Sequence, residues 1–249
     1  MSVIQNTIED VKSLKLYGFH SALELQLSNT VYLKMSFEER LAHLVKNEVT
    51  ERRNRKIKQL TSRSKLKYKQ AFIEELDYRP SRNLDKSVIM TLAQNEWIER
   101  SQNMIISGPT GTGKTYLACA LGNNAIANGY SVFYIRLSKL FSEIKLARAD
   151  GSYLSSLKKL TRYNVLILDD FGGGSMTASD VTELLEVVED RSYIGSIIII
   201  SQLPVSGWHD YLNQPVVADA IMDRLIHTSY RIELKGESMR KLKSTITEL

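Results

Sequence analysis

Eight consecutive residues have the types and order of a phosphate-binding loop. They match the pattern Gly-x-x-x-x-Gly-Lys-Ser/Thr and are Gly108, Pro109, Thr110, Gly111, Thr112, Gly113, Lys114 and Thr115. Glycines let the backbone curl so that successive N–H groups point at a phosphate, and a following helix presents the positive end of its dipole to the same anion. We expect Lys114 to reach the β- and γ-phosphates and the Thr115 hydroxyl to bind Mg²⁺. The alternative is a glycine-rich turn that binds nothing.

Polar residues follow two apolar runs further along the chain. Asp169 and Asp170 come directly after the run 165–168, and Gln202 follows the run 196–200. We expect Asp169 to hold a hydrated Mg²⁺, and Asp170 to orient and polarise the water that attacks the γ-phosphate. Gln202 is expected to touch the γ-phosphate or that water, although a polar pair at this position could also simply begin a helix.

The hydrophobic pattern indicates elements that would bring these residues together. Five apolar runs, separated by amphipathic stretches, lie at 103–107, 131–135, 165–168, 196–200 and 230–234. Continuous apolar strands between helices are typical of a parallel sheet covered on both faces, so the predicted fold class is α/β, doubly wound. The phosphate loop then follows the first strand and precedes a helix, which is the context that the motif requires.

The front part of the chain has a different pattern. Residues 19–79 contain neither glycine nor proline, which favours helices, and Ser36 with Glu39 forms a capping box at a predicted helix start. Arg79 and Pro80 break this pattern. The sequence therefore predicts a small all-helical domain at 1–79, for binding DNA or a partner, and an ATPase domain at 80–249.

Basic residues are concentrated in the same front part. Residues 1–100 carry 18 Lys and Arg against 13 Asp and Glu, whereas residues 101–249 carry 15 of each. No acid interrupts the basic run from 52 to 69, and a cationic helix face of this kind would meet the phosphate backbone of DNA without reading bases. A merely solvated helix face is the alternative. The candidate DNA contacts are Arg52, Arg53, Arg55, Lys56, Lys58 and Arg63, with Lys145 and Arg148 from a second basic set.

Composition excludes several classes of protein. With 43% hydrophobic and 24% charged residues, the chain has enough apolar material for a core and is not a disordered protein. A single cysteine, Cys119, rules out an intramolecular disulfide framework. No apolar stretch approaches the roughly 18 residues of a membrane span, so we expect a cytoplasmic protein without a membrane partner.

Several longer segments resemble one family of ATPases. They are GPTGTGKTYLA at 108–118, LARADGSY at 146–153, VLILDDFGGG at 165–174, SQLPVSGWH at 201–209, ADAIMDRLIH at 218–227 and RIELKGESMRK at 231–241. The chain resembles an AAA+ ATPase of the branch that contains helicase loaders, replication initiators and transposition helpers. Within that branch it looks most like the IstB family of insertion-sequence ATP-binding proteins.

This resemblance implies an AAA+ P-loop core with the phosphate-loop strand in the middle of a five-stranded parallel sheet, and function as a homo-oligomer. It also implies that Arg224 is an arginine finger that reaches into the site of a neighbouring subunit. Such fingers contribute about 10³ to 10⁵ in rate in other systems. The alternative for Arg224 is a surface salt bridge with Asp219 or Asp223.

The sequence also departs from the AAA+ pattern at two places. Asp169-Asp170 stands where many AAA+ proteins have Asp-Glu, which is compatible with slow turnover. Only 15 residues follow Leu234, too few for the usual helical lid, and this leaves the role of Arg240 as a nucleotide sensor open.

Three functional hypotheses follow. The first is an ATPase, dependent on ATP and Mg²⁺ and with active sites shared between subunits. It would assemble on duplex DNA largely independently of sequence and assist a partner transposase in target selection. The second is a replicative helicase loader resembling DnaC, which would prefer single strands. The third is a small-molecule kinase, whose ATPase rate DNA would leave unchanged.

Overall fold

The computed structural model describes residues 2–227 and 229–239 and divides the chain into two compact units, which meet between Gln59 and Leu60. The first unit is helical. Its elements are α1 (Val3–Ser13), α2 (Tyr17–Ser28), a 3-10 turn (Thr30–Lys34) and α3 (Phe37–Ser64), the last of which continues into the second unit. The predicted capping box at the start of α3 is confirmed, because the Glu39 N–H donates to Ser36 Oγ at 3.2 Å and the Ser36 N–H donates to Glu39 Oε2 at 2.8 Å.

A buried carboxylate joins α2 to α3 inside the first unit. Glu48, 8% exposed, accepts the N–H groups of Gly18 at 2.9 Å and Phe19 at 3.1 Å, two donors of the first turn of α2 that have no partner within the helix. Gly18 permits this approach, since a Cβ there would lie 2.5 Å from the backbone oxygen of Asn47. Any other residue at position 18 would therefore push α2 away from α3.

The second unit is an α/β structure. Its helices are α4 (Lys86–Leu92), α5 (Glu96–Glu99), α6 (Lys114–Ala127), α7 (Leu137–Ala149), α8 (Tyr153–Leu160), α9 (Ala178–Arg191), α10 (Trp208–Leu212) and α11 (Pro215–Ile226), with 3-10 turns at Ile73–Glu75, Pro80–Arg82 and Val205–Gly207. Its strands are β1 (Asn103–Ser107), β2 (Val132–Arg136), β3 (Val165–Phe171), β4 (Ser196–Ser201) and β5 (Ser229–Glu233).

All five strands are parallel and pair in the order β2-β3-β4-β1-β5. Each of the five predicted apolar runs thus forms a strand, and the predicted α/β class is confirmed. The expectation that the phosphate-loop strand lies in the middle is wrong. β1 is an interior strand between β4 and β5, but the central strand is β4.

Both faces of the sheet are covered, which explains why the strands are continuously apolar. Leu166 packs in a buried cluster with residues of α7, α9 and α11. Its neighbour Ile167 points to the opposite face, where α6 lies so close that a Cβ on Gly122 would be 3.2 Å from Ile167 Cδ1. Parallel strands end at one edge of the sheet, so the residues after β1, β3 and β4 come together there.

The boundary predicted at residue 79 differs from the division at Gln59 and Leu60. Residues 60–79 belong with the sheet unit because they pack on α6. Leu66 is 3% exposed and lies 3.3 Å from a Cβ position on Gly122, and Asn123 of α6 donates to the backbone oxygens of Tyr68 at 3.2 Å and Ala71 at 2.9 Å. The proline at 80 marks a turn in this unit and not its edge.

Candidate nucleotide-binding site

The phosphate loop leaves β1 at Ser107 and enters α6 at Lys114. Three glycines give it a backbone that other residues rarely adopt, with φ of +139° at Gly108, +86° at Gly111 and +87° at Gly113. Side chains at the first two would also collide with their surroundings, namely the backbone oxygen of Leu234 and the side chain of Ser238. These three positions therefore require glycine, as the curled backbone of a phosphate-binding loop does.

Lys114 lies against this loop. Its ammonium group donates to the backbone oxygens of Gly108 at 2.6 Å and Pro109 at 2.9 Å, and the residue is only 7% exposed. Burial lowers the pKa of Lys114, while the nearby carboxylates of Asp169 and Asp170 oppose this change. The cation is thus placed between the loop and the two acids at the end of β3.

Asp169 is the most heavily bonded group of the site. Its carboxylate accepts the Thr115 hydroxyl at 3.1 Å, the Asp170 N–H at 2.8 Å and the Tyr134 hydroxyl at 2.5 Å, and the residue is 6% exposed. Hydroxyl and carboxylate oxygens are the hard donors that Mg²⁺ prefers. The two residues expected to hold the metal, Thr115 and Asp169, are therefore in direct contact.

Tyr134 is a member of the site that the sequence pattern did not reveal, since it reads as one more apolar residue of β2. Burial and the hydrogen bond to Asp169 raise the pKa of Tyr134, and the nearby Arg136 acts against this change. The hydroxyl therefore stays protonated and donates to the carboxylate. Only the register of β2 against β3, in which Arg136 pairs with Asp169, brings these side chains together.

Asp170 and Gln202 also meet beside the loop. Gln202 Nε2 donates to Asp170 Oδ1 at 3.0 Å, and the Thr110 hydroxyl donates to Gln202 Oε1 at 3.0 Å. Asp170 has φ of +71°, an unusual backbone for a residue other than glycine, at a point where the pairing of β3 with β4 shifts register. This irregularity turns an exposed carboxylate toward the loop instead of into the sheet.

A cavity of about 700 Å³ adjoins the other side of the loop. Its lining includes the loop residues Gly111, Gly113, Lys114 and Thr115. The rest of the wall is mainly apolar and is formed by Tyr68, Leu76, Leu84, Tyr116, Leu117, Leu234 and Met239, together with the acids Glu75 and Asp77. Arg82 also lines it, 6% exposed, and donates from Nη2 to the backbone oxygen of Thr112. The segment 60–84, which the sequence assigned mostly to a separate domain, thus supplies much of this wall.

The residues after β5 lie along the loop as well. The Lys235 N–H donates to the backbone oxygen of Arg82 at 3.1 Å, and the Met239 N–H donates to that of Gly111 at 2.9 Å. Arg240 lies outside the described residues.

Arg224 lies away from this site within its own chain. It pairs with Glu189 at 2.6 Å, not with Asp219 or Asp223, and its backbone oxygen accepts the side-chain amide of Asn103 at 3.1 Å. Asn103 begins β1, whereas the phosphate loop follows the end of that strand. The structure therefore places Arg224 at the opposite edge of the sheet from the loop of the same chain.

The candidate DNA contacts fall into two groups. On α3, the cations Arg52, Arg53, Arg55, Lys56, Lys58 and Arg63 are all exposed, although Arg52 pairs with Glu48 at 2.6 Å and Arg55 with Glu51 at 3.3 Å. On α7, Lys145 pairs with Asp180 at 3.0 Å and Arg148 with Glu183 at 2.6 Å. The second group is tied to acids of α9 that are largely buried.

Comparison with known proteins identifies the family. The sequence profile described as "IstB-like ATP binding protein" matches residues 9–246. The chain belongs to this family. It is 40% identical to an insertion sequence ATP-binding protein of Sinorhizobium fredii, over 94% of this chain and 96% of that protein. It is also 41% identical to the ATP-binding protein of insertion sequence IS1162 of Pseudomonas fluorescens, over 81% of this chain and 87% of that protein.

Solved structures show that this IstB-like protein has the AAA+ fold. Its similarity to DnaI has a TM-score of 0.57 at 21% identity, over 67% of this chain and 92% of that one. Its similarity to the DnaC helicase loader has a TM-score of 0.56 at 20% identity, over 66% of this chain and 97% of that one. The family and the relatives above are described as ATP-binding, so the resemblance inferred from the motifs is confirmed. No helix among the described residues is long and apolar enough to cross a membrane.

Proposed function

We propose that this protein is a Mg²⁺-dependent ATPase that assembles on duplex DNA and assists a transposase. The observation that carries the proposal is the meeting of the phosphate loop with Asp169, Asp170 and Gln202 in a chain of the IstB-like family. ATP binding follows from the family. Hydrolysis, a site shared between subunits, and the DNA and transposase partners are the proposed steps.

The geometry supports a definite placement of the nucleotide. The triphosphate would lie along the loop, where Lys114 would donate to phosphate oxygens in place of the two backbone oxygens that it now contacts. The apolar wall of the neighbouring cavity suits a purine base, and its volume of about 700 Å³ is within the usual range of ligand pockets. Gly111, Lys114 and Thr115 line both this cavity and the smaller one that contains Asp169, Asp170 and Gln202.

Thr115 and Asp169 would hold the metal, which neutralises charge on the β- and γ-phosphates when bound. The Tyr134 hydroxyl fixes the orientation of the Asp169 carboxylate from behind. Asp170 then accepts a proton from the attacking water. Gln202, bonded to both Asp170 and Thr110, would position that water between the carboxylate and the terminal phosphate.

Arg224 would complete the site of a neighbouring subunit. Because it lies at the sheet edge opposite its own loop, it can serve a nucleotide only across a contact between copies. A head-to-tail contact of this kind generates a ring or a helical filament. ATP would then act mainly as a switch, since its γ-phosphate favours the assembled state and hydrolysis releases it.

The names of the relatives place ATP-binding proteins of this type in insertion sequences, which supports a role beside a transposase. The exposed cations of α3 would bind the DNA backbone with little sequence preference. A helicase loader is the competing function. The likeness to DnaI and DnaC shows only a shared fold, so the two functions must be separated by experiment.

The test measures ATP turnover and assembly size of the full chain with duplex DNA, with single-stranded DNA and without DNA. We expect duplex DNA to compete better than single strands for binding, to raise turnover, and to support a multimer when a slowly hydrolysed ATP analogue is present. Preference for single strands would instead indicate a loader. A chain that stays monomeric and hydrolyses ATP at a rate that DNA does not change would contradict the proposal.

A further inference from the structure

The cations of α7 that the sequence offered for DNA are engaged within the chain. Lys145 and Arg148 pair with Asp180 and Glu183, whose side chains are 9% and 5% exposed, and Arg148 also lies 3.8 Å from the ring centre of Tyr153. Moving either cation to a DNA phosphate would leave a largely buried carboxylate without its partner, which is costly. These pairs are better explained as links between α7 and α9.

A different set of cations shares a groove beside β2, an edge strand of the sheet. The groove has a volume of about 480 Å³ and is lined by Lys65, Tyr134, Ile135, Arg136, Ser138, Lys139, Ser142 and Glu143. Among residues 2–227 and 229–239, no ion pair involves Lys65 or Arg136, and Lys139 has only a long contact of 3.9 Å with the exposed Glu143. The groove lining therefore contains three cationic side chains and one acidic side chain.

The groove also contains the start of a helix. α7 begins at Leu137, and Arg136 in the capping position makes no side-chain hydrogen bond to the free N–H groups of the first turn. Uncapped N–H groups and the positive end of a helix dipole favour an anion at this position. They add to the charge of Lys65 and Lys139, which approach from two different segments. The groove therefore suits a phosphate group.

The same strand connects this groove to the nucleotide site. Tyr134 and Arg136 are two residues apart on β2 and so lie on one face of the strand. Arg136 also lines the cavity that contains Lys114, Asp169 and Asp170, and Tyr134, which lines the groove together with Arg136, donates its hydroxyl to Asp169 at 2.5 Å. A phosphate bound in this groove would therefore lie beside Tyr134, the residue whose hydroxyl holds the carboxylate expected to bind the metal.

We propose that this groove binds a phosphate of the DNA backbone and that Tyr134 is the positioning residue through which the bound phosphate raises ATP turnover. This inference rests on the proposed function, which supplies DNA as the source of the phosphate. It assigns DNA contacts to Lys65, Arg136 and Lys139, and removes them from Lys145 and Arg148.

The first test concerns the groove as a DNA site. The double variant Lys65→Gln/Lys139→Gln of the full chain is compared with Lys158→Gln/Lys159→Gln, which removes the same charge from exposed positions of α8 outside the groove. We expect the groove variant to bind a fluorescent duplex about tenfold more weakly than the control, with the slope of log affinity against log salt reduced by about 2. Equal affinities and equal slopes for the two variants would overturn the groove assignment.

The second test concerns the connection to the site. Tyr134→Phe removes only the hydroxyl, and Tyr193→Phe is its control because Tyr193 is 93% exposed. We expect Tyr134→Phe to bind duplex DNA within about twofold of the unaltered chain, to lose most of the stimulation of turnover by DNA, and to need more Mg²⁺ for half-maximal rate. Normal stimulation and a normal Mg²⁺ requirement would show that Tyr134 does not transmit DNA binding.

Measurements on the unaltered chain distinguish failure of the proposed function from failure of this inference alone. If it neither binds duplex DNA nor responds to it, the proposed function fails and this inference fails with it. If it binds and responds to DNA but the groove variants behave like their controls, only the inference is wrong.

Discussion

Asp170 is the side chain on which turnover depends most directly in the proposed mechanism. We expect Asp170→Asn to keep the affinity for ATP within about twofold, since the amide retains the shape of the carboxylate. Turnover should fall by about 10² to 10⁴, because an amide cannot accept the proton of the attacking water. Asp190→Asn, at an exposed acid of α9, serves as the control, and both are measured by release of phosphate in the presence of DNA. Turnover at the normal rate would remove Asp170 from the role of base.

Cys119 gives a second prediction at the scale of one residue. It is fully buried in α6, and burial raises the pKa of its thiol to about 11 from 9.0, so about a hundredfold less thiolate is present near pH 8. We expect the folded protein to react slowly with iodoacetamide at that pH and to take up one equivalent rapidly once unfolded in guanidinium. Mass spectrometry counts the label, and rapid labelling of the folded chain would contradict the buried position.

The sequence alone allowed prediction of those residues of the candidate site that belong to a continuous motif or directly follow a strand. The loop from Gly108 to Thr115 is one contiguous motif, and Asp169 follows its strand directly, so both could be placed without a structure. Tyr134 could not, because its contact with Asp169 depends on the register between two strands. The ion pairs of Lys145 and Arg148 were missed for the same reason, since their partners lie on another helix.

At the scale of elements, Arg191 joins the end of α9 to the sheet. It is 1% exposed and donates to the backbone oxygens of Leu160 at 2.6 Å and Ser196 at 2.9 Å, and burial lowers its pKa to about 10. We expect Arg191→Ala to lower the free energy of unfolding by about 3 kcal/mol, because buried oxygens lose their donors and a cavity remains.

Urea unfolding followed by tryptophan fluorescence measures this loss, since Trp97 and Trp208 are both buried in the sheet unit. Arg162→Ala, at an exposed position, should change the free energy of unfolding by no more than about 0.5 kcal/mol. A loss for Arg191→Ala as small as that of the control would mean that α9 is held to the sheet by its apolar face alone.

The strands were predictable as elements, but the limits of the two units were not. Continuous apolar runs indicate buried parallel strands regardless of what packs on them. Glycine and proline mark turns in the chain, whereas compact units depend on packing. The segment after Gln59 contains neither residue until Pro80, yet Leu66 and Ala71 are buried in the sheet unit.

At the scale of the assembly, the position of Arg224 predicts that two defective subunits can repair each other. Lys114→Ala lacks a functional loop but keeps Arg224, and Arg224→Ala has the reverse defect. Each alone should be nearly inactive. An equimolar mixture should recover about a quarter of the normal turnover, since about that share of random head-to-tail contacts joins an intact loop to an intact arginine.

The control mixes Arg224→Ala with the double variant Lys114→Ala/Arg224→Ala, which supplies no arginine and should restore nothing. If the first mixture is as inactive as this control while both proteins still assemble, Arg224 does not serve a neighbouring site. Its ion pair with Glu189 would then be its whole role.

The strand order also affects how the molecule acquires its shape. β1 pairs with β4 and β5, which are distant along the chain. Met104 pairs with Ile198, and Asn103 pairs with Ser229. Contacts between such remote segments make folding slow, and they leave intermediates whose exposed apolar surface and unpaired strand edges promote aggregation. The refolding yield should therefore decrease steeply as the protein concentration rises. At high expression, chaperones would be needed to prevent partly folded chains from aggregating.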